Sequence, residues 1–402
     1  MQTAFLYADL EETIFLEHPE CVPGPPDTVL RLLKNLYGLK QAPKAWWKKL
    51  VGEFVALGFE PCLTDPCLLR HQTQQFFVLL YVDDILLATA DEAMRVQVTR
   101  ALADKFQLKE FGDVGRYLNL QVEHRNGSFF LHQRSYIESV LEKFRMQDAK
   151  WAKTPGPDGV LSKSMCPSSD EERKEMAEVP YKSAVGSLLY ASGGTRPDIA
   201  FAVNTCSQFS QDPGRLHWQA VKRILRYLTK TTEHAIEYRP QPDSSIKVDV
   251  FSDSDWGTNP DTRRSVTGYV VMIAGGPTIW QSKLQKTVAL SSCEAELYAL
   301  CEATKEIKWL VQLLKELRVP FTVPTLHVDN QGAIALSSNP VQHQRTKHIA
   351  IRWFFIREAL QHEELKVVYV STDDNLADIF TKAVTVGVHD HLLKFIMVII
   401  HD

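Results

Sequence analysis

The sequence predicts a mixed chain, α+β in its first part and α/β in its last, joined through a helical stretch. Three observations predict it. Residues 76–89 (FFVLLYVDDILLAT) set two adjacent aspartates between two apolar, β-prone runs, the pattern of a buried hairpin. Residues 181–238 carry apolar side chains at helical spacing, with Ala184, Leu188 and Ala191 in one stripe and Val221, Leu225 and Leu228 in another. From residue 246 the rhythm becomes strand, hairpin, long helix, strand, helix, strand, helix, the alternation of a separate α/β domain.

A chain of 402 residues is long enough for two or three domains. Its 45% hydrophobic and 23% charged content are those of an ordinary globular protein. The net charge of −4 gives no overall basic signature, so a nucleic-acid surface has to be local. Two acid-free stretches are candidates. Residues 31–50 hold Arg31, Lys34, Lys40, Lys44, Lys48 and Lys49 among Tyr37, Trp46 and Trp47. Residues 215–230 hold Arg215, Lys222, Arg223, Arg226 and Lys230 beside Trp218 and Tyr227. Each pattern suits phosphate contact with base stacking, and equally a solvated helix face.

Seven scattered cysteines fit a reducing, intracellular compartment without a disulfide framework. Cys62, Cys67 and His71 lack a fourth ligand at zinc-site spacing and read as structural. Asp9, Glu11, Glu12, Glu17 and Glu20 exclude a secretory signal. The uncharged run 265–282 is interrupted by Gly268 and by Gly275-Gly276-Pro277, which makes it a hairpin and no membrane span.

In order along the chain, residues 1–90 end in the Asp-Asp hairpin. A helix is expected near 92–106, then strands near 117–123 and 128–132 joined by an Asn126-Gly127 turn. Residues 135–144 have helical spacing at Ile137, Val140, Leu141 and Phe144. Residues 153–180, rich in Pro, Ser, Gly and charge, read as a linker. The expected domains are therefore 1–150, a linker 151–180, a helical connection 181–244, and an α/β domain 245–390.

That last domain carries the clearest chemistry. Asp253 closes a strand over 247–252. Leu300, Ala303, Ile307, Leu310, Leu314 and Leu317 step by three and four residues, and Glu296, four before Leu300, extends that stripe toward the sheet. Glu294 lies off the stripe. Asp329 follows the apolar strand 325–328. Asp378 sits in a short helix after the strand 365–370, with Asp373 and Asp374 as capping residues of that helix. Four acids converging at one sheet edge would bind two divalent ions and support phosphodiester hydrolysis. The competing reading makes Asp253 and Asp329 turn or cap residues. Asp83 and Asp84 divide similarly, between metal ligands and a solvated turn.

The segments together resemble the polymerase region of copia-type retrotransposon polyproteins, a reverse transcriptase followed by a ribonuclease H domain. The matching stretches are Thr3-Ala4-Phe5-Leu6, LYGLKQAPKAW (36–46), Tyr81-Val82-Asp83-Asp84, Gly194-Thr195-Arg196-Pro197-Asp198 and Ser252-Asp253-Ser254-Asp255-Trp256. SSCEAE (291–296), Val328-Asp329-Asn330-Gln331, Thr346-Lys347-His348-Ile349 and Ala377-Asp378-Ile379 continue the series. The resemblance implies a partial palm-and-thumb polymerase domain, a helical connection and a ribonuclease H-like mixed-sheet domain.

It further implies that Asp83 and Asp84 are polymerase metal ligands. Phe5 would reject a ribose 2′-hydroxyl, and Gln41 would contact template and nucleotide. Asp253, Glu296, Asp329 and Asp378 correspond to the four ribonuclease H carboxylates. The implied cofactor is Mg2+, two ions per site, with Mn2+ as an alternative. The implied partners are an RNA–DNA hybrid, template-primer nucleic acid and other parts of a precursor polyprotein. The implied location is cytoplasmic or within element-derived particles.

Some positions depart from the family pattern. A third polymerase aspartate would stand four residues before Ala4, outside this sequence, so the expectation is a nuclease without polymerase activity. The other open reading is a non-catalytic nucleic-acid-binding remnant. Asn119 stands where the family often has glycine, Ala350 where aspartate is usual, and the apolar tail 392–400 differs from the usual ending.

Overall fold

A computed structural model describes residues 3–22, 24–241, 245–338 and 350–400. The chain forms two compact units, divided between Tyr117 and Leu118.

In the first unit, four antiparallel strands run in the order Phe59–Pro61, Leu68–His71, Phe76–Tyr81 and Asp84–Thr89. Alternation places Phe76, Val78 and Leu80 inward, where they meet Trp46, Leu50 and Phe54 of the helix Ala42–Ala56 and Val98 and Leu102 of the helix Glu92–Ala103. Pro43 sits in the first turn of the former helix, where its missing N–H costs nothing. Asp91 caps the latter by accepting from the Met94 N–H at 3.0 Å.

The second unit contains two cores. In one, helices Arg134–Lys143, Tyr181–Gly194, Ala200–Ser207 and Arg215–Leu228 bury Ile137, Val140, Leu188, Val203, Ile224 and Leu225 together. Beside them the hairpin Leu120–Arg125/Ser128–His132 turns through Asn126 (φ 51°) and Gly127 (φ 81°), as its Asn-Gly sequence predicts. Its second strand pairs with His234–Tyr238, Ile236 opposite Leu131. This pairing explains why the unit begins at residue 118 instead of near 150: the hairpin and the helix after it are built into the helical core. It also makes 234–238 a strand where helix was expected. Asn119 has φ 64°, a left-handed backbone in which asparagine is the best substitute for glycine.

Residues 151–180 are packed, contrary to the linker expectation. Ala152, Leu161 and Met176 are buried, and Asp170–Ala177 is helical. The reason lies in the second basic stretch. Arg215 pairs with Glu175, Arg223 Nη1 with Asp158 at 2.5 Å, and Arg226 Nε donates to the Lys150 carbonyl at 2.6 Å. These arginines strap the polar segment onto their helix.

The other core is built on a five-stranded mixed sheet in the order Gly276–Leu284, Val266–Ile273, Val248–Ser254, Thr325–Val328, Lys366–Tyr369. The first three strands are antiparallel and the last two join parallel to the central one. The uncharged run is thus a hairpin within this sheet. The long helix Ser292–Glu316 covers one face with Leu297, Leu300, Ile307 and Leu314. The other face, with Val270 and Met272, is covered by Leu376–Phe380 and by the tail helix Val386–Ile396. The apolar tail is therefore docked, and Val398 pairs with Ala235. Among the described residues, no helix is long and apolar enough to cross a membrane.

Candidate active site

The mixed sheet brings its acids to one end. Asp253 is the sixth residue of the central strand, one step inside it and not at its end. Asp329 directly follows the parallel neighbour Thr325–Val328. Asp378 lies in the 3-10 helix Leu376–Phe380. One carboxylate oxygen from each of these three falls within 4.8 Å of the others.

Glu296 approaches from the second turn of the long helix, 6% exposed, and accepts from the Ser254 backbone N–H. Its Oε2 and Oδ1 of Asp378 are buried with no hydrogen-bond partner. Orphaned buried carboxylate oxygens beside other acids are costly unless a cation receives them, so this donor set fits a hard divalent ion. Burial pushes the Glu296 carboxyl well above its ordinary range, helped by Asp253 and Asp329. Burial, then Asp253, pushes Asp378 up to about 7. Asp253 is also raised by burial, against the pull of Lys382.

Three residues that sequence reasoning missed hold this geometry. Asn375 accepts from the Ala377 N–H and donates from Nδ2 to the Ser252 carbonyl at 3.1 Å, tying the 3-10 helix to the central strand. It caps that helix; Asp373 and Asp374 do not, and Asp374 instead accepts from the Ser371 hydroxyl. The Thr381 hydroxyl donates to Asp253. Gly268 lies opposite Asp253 on the adjacent strand, where a Cβ would stand 2.6 Å from Thr381 Cγ2 and 2.8 Å from Phe380 Cβ. Its missing side chain lets the segment bearing Asp378 approach. The visible signal was Gly268 within a β-prone run, which marks a close backbone approach as well as a break. Glu294 is buried as a cap: its N–H donates to Ser291 Oγ and its Oε2 accepts from the Leu290 N–H. Thr372 donates to Asp329 at 2.9 Å. His348 lies outside the described residues.

In the first unit, Asp83 and Asp84 stand at a two-residue turn, with Tyr81 opposite Asp84. Val82 occupies the first loop position at φ 54°, a conformation strained for a β-branched residue. The Trp46 indole N–H holds it, donating to the Val82 carbonyl at 2.5 Å. Among the described residues, no third acid joins this pair in a metal-sized cluster. Asp9 pairs with Lys34. Phe5 is buried against Tyr37, ring centroids 4.4 Å apart, and Gln41 Nε2 donates to Glu12 at 2.9 Å.

Residues 1–157 match the reverse transcriptase (RNA-dependent DNA polymerase) family. A putative transposon Ty5-1 protein of Saccharomyces cerevisiae is 30% identical over 76% of this chain and 99% of its own length. The Pol polyprotein of transposon TNT 1-94 from Nicotiana tabacum is 43% identical over 96% of this chain. The chain belongs to the copia-type retrotransposon Pol family. It spans 29% of the length of the tobacco polyprotein. A solved compost ribonuclease H, LC11-RNase H1, aligns with 34% of this Pol chain and 92% of its own at 15% identity and a TM-score of 0.28.

Proposed function

We propose that this Pol chain carries a divalent-metal nuclease site that cleaves RNA in RNA–DNA hybrids, formed by Asp253, Glu296, Asp329 and Asp378. The observation that carries the reading is the convergence of three acids within 4.8 Å, joined by a buried glutamate with an orphaned oxygen. Turn and cap roles do not account for that convergence. Membership in a reverse-transcribing family supports the substrate, because copying RNA into DNA generates the hybrid in reach of the same chain.

Bound at these four carboxylates, Mg2+ or Mn2+ would supply Lewis-acid charge and lower the pKa of water. The chain's own groups set the rest. Thr381 fixes the orientation of the Asp253 carboxylate, and Asn375 fixes the helix that presents Asp378. Glu296 and Asp378, both raised by burial, hold protons more readily than free carboxyls do, and a bound cation would displace them. Asp329 is the least buried of the triad.

Asp83 and Asp84, with Phe5 and Gln41, are the proposed polymerase-side residues. We assign hybrid cleavage to the sheet-end carboxylates, and propose the hairpin pair as polymerase metal ligands. The test compares full-length protein with Asp253→Asn and Glu296→Gln on a labelled hybrid in Mg2+. Each substitution is expected to lower cleavage by ~10²-fold or more with hybrid binding retained. Binding without cleavage by the unsubstituted protein would instead support a non-catalytic nucleic-acid-binding remnant.

A further inference from the structure

We propose that Lys382 is a built-in counter-cation of this carboxylate site, holding the acids together without metal and leaving Asp378 when a divalent ion binds. The inference rests on the metal-site reading above and deepens it by assigning what sets the affinity for the ion. Lys382 Nζ lies 2.8 Å from Asp378 Oδ2, and its backbone N–H donates to the Asp378 carbonyl at 3.2 Å. The same ammonium acts electrostatically on Asp253, Glu296 and Asp255, and on Asp329. One positive charge thus serves five acids, most of them buried.

Buried carboxylates in this number repel one another and need positive charge from some source. A divalent ion is one source and Lys382 is the other. The two compete, since both take the carboxylate of Asp378. The exchange is mechanically simple: the Asp378 side chain is 5% exposed, whereas that of Lys382 is 44% exposed. A compact ammonium on a flexible four-carbon stem can swing into water without disturbing the core. The backbone of Lys382 stays anchored while its side chain moves.

The experiment uses the full chain, without substrate. Mg2+ binding is followed by calorimetric titration, and thermal stability is measured in EDTA and in Mg2+. Lys382→Met is expected to bind Mg2+ about tenfold more tightly, because a unit charge beside the ion has been removed. It is also expected to melt earlier than wild type in EDTA and to recover in Mg2+. Lys382→Arg, which keeps the charge, should restore stability in EDTA. Unchanged or weaker Mg2+ binding by Lys382→Met would overturn the proposal, as would unchanged stability in EDTA. If Lys382→Met does not fold, the milder Lys382→Gln and its cycle with Asp378→Asn decide: with the partner acid removed, losing the ammonium should cost less than it does alone, and an additive loss would overturn the assignment. Wild-type protein that takes up no Mg2+ would overturn the metal reading itself; stability in EDTA then still decides whether Lys382 is the counter-cation.

Discussion

At the scale of single residues, the site is a problem of unfavourable charge held in place by a few contacts. Asp378, ordinarily near 3.8, is pushed up to about 7, and Glu296 is raised well above its usual range. A carboxyl whose folded value exceeds its unfolded one supports the fold at low pH and loses that contribution as pH rises through the folded value. Metal-free protein therefore loses this contribution between about pH 4 and the region of pH 7 and above. A divalent ion, which needs the deprotonated groups, offsets the loss. The Mg2+-induced rise in Tm should accordingly be larger at pH 8 than at pH 6, and equal rises would contradict the assignment. Gly268 gives a second prediction. Gly268→Ala places a methyl against Thr381 and Phe380, and should cost about 1–3 kcal/mol while displacing Asp378 and lowering cleavage. Denaturant melts and hybrid cleavage on the same preparation check both effects. Away from the site, Arg196 and Asp198 form a fully buried bidentate pair, with Tyr227 donating to Asp198 at 2.8 Å. Arg196→Met leaves Asp198 buried and uncompensated, and is expected to destabilise by about 3–5 kcal/mol in an equilibrium melt.

At the scale of elements, what the sequence made legible was whatever has a period. The stripe from Glu296 to Leu314 put the glutamate on the buried face of its helix, and the Asn126-Gly127 turn located its hairpin. Elements defined by charge pairing across long separations were not legible. Residues 153–180 have a linker's composition, yet Arg215, Arg223 and Arg226 from a later helix hold residues 150–175 against the core. Composition reports local solubility and carries no information about a partner dozens of residues away. The same limit concealed Asn375, Thr381 and Lys382. None belongs to a periodic stripe, and each acquires its role only when the 3-10 helix meets the central strand. The four acids could be named because each adjoins a predictable strand or helix.

At the scale of the whole molecule, the second unit joins the helical core to the mixed sheet through several contacts. Trp280 donates to the Ser192 carbonyl at 2.9 Å, Asn204 reaches the Ser282 carbonyl, and the tail strand pairs with His234 and Ala235. A fragment of residues 118–402 is therefore expected to fold and to keep the Mg2+ response of the full chain. A fragment starting at 245 loses these supports and should melt at a lower temperature, which circular dichroism would reveal; equal melting temperatures would show that the helical core contributes nothing to the sheet. The central claim is that Asp253, Glu296, Asp329 and Asp378 form a working nuclease site. Its most direct test is the fate of a labelled RNA strand, paired with DNA, incubated with the purified full chain in Mg2+. The account predicts cleavage of that RNA in Mg2+, none in EDTA, and none of the same sequence as duplex DNA. An RNA strand that stays intact in Mg2+ while the hybrid is bound would contradict it.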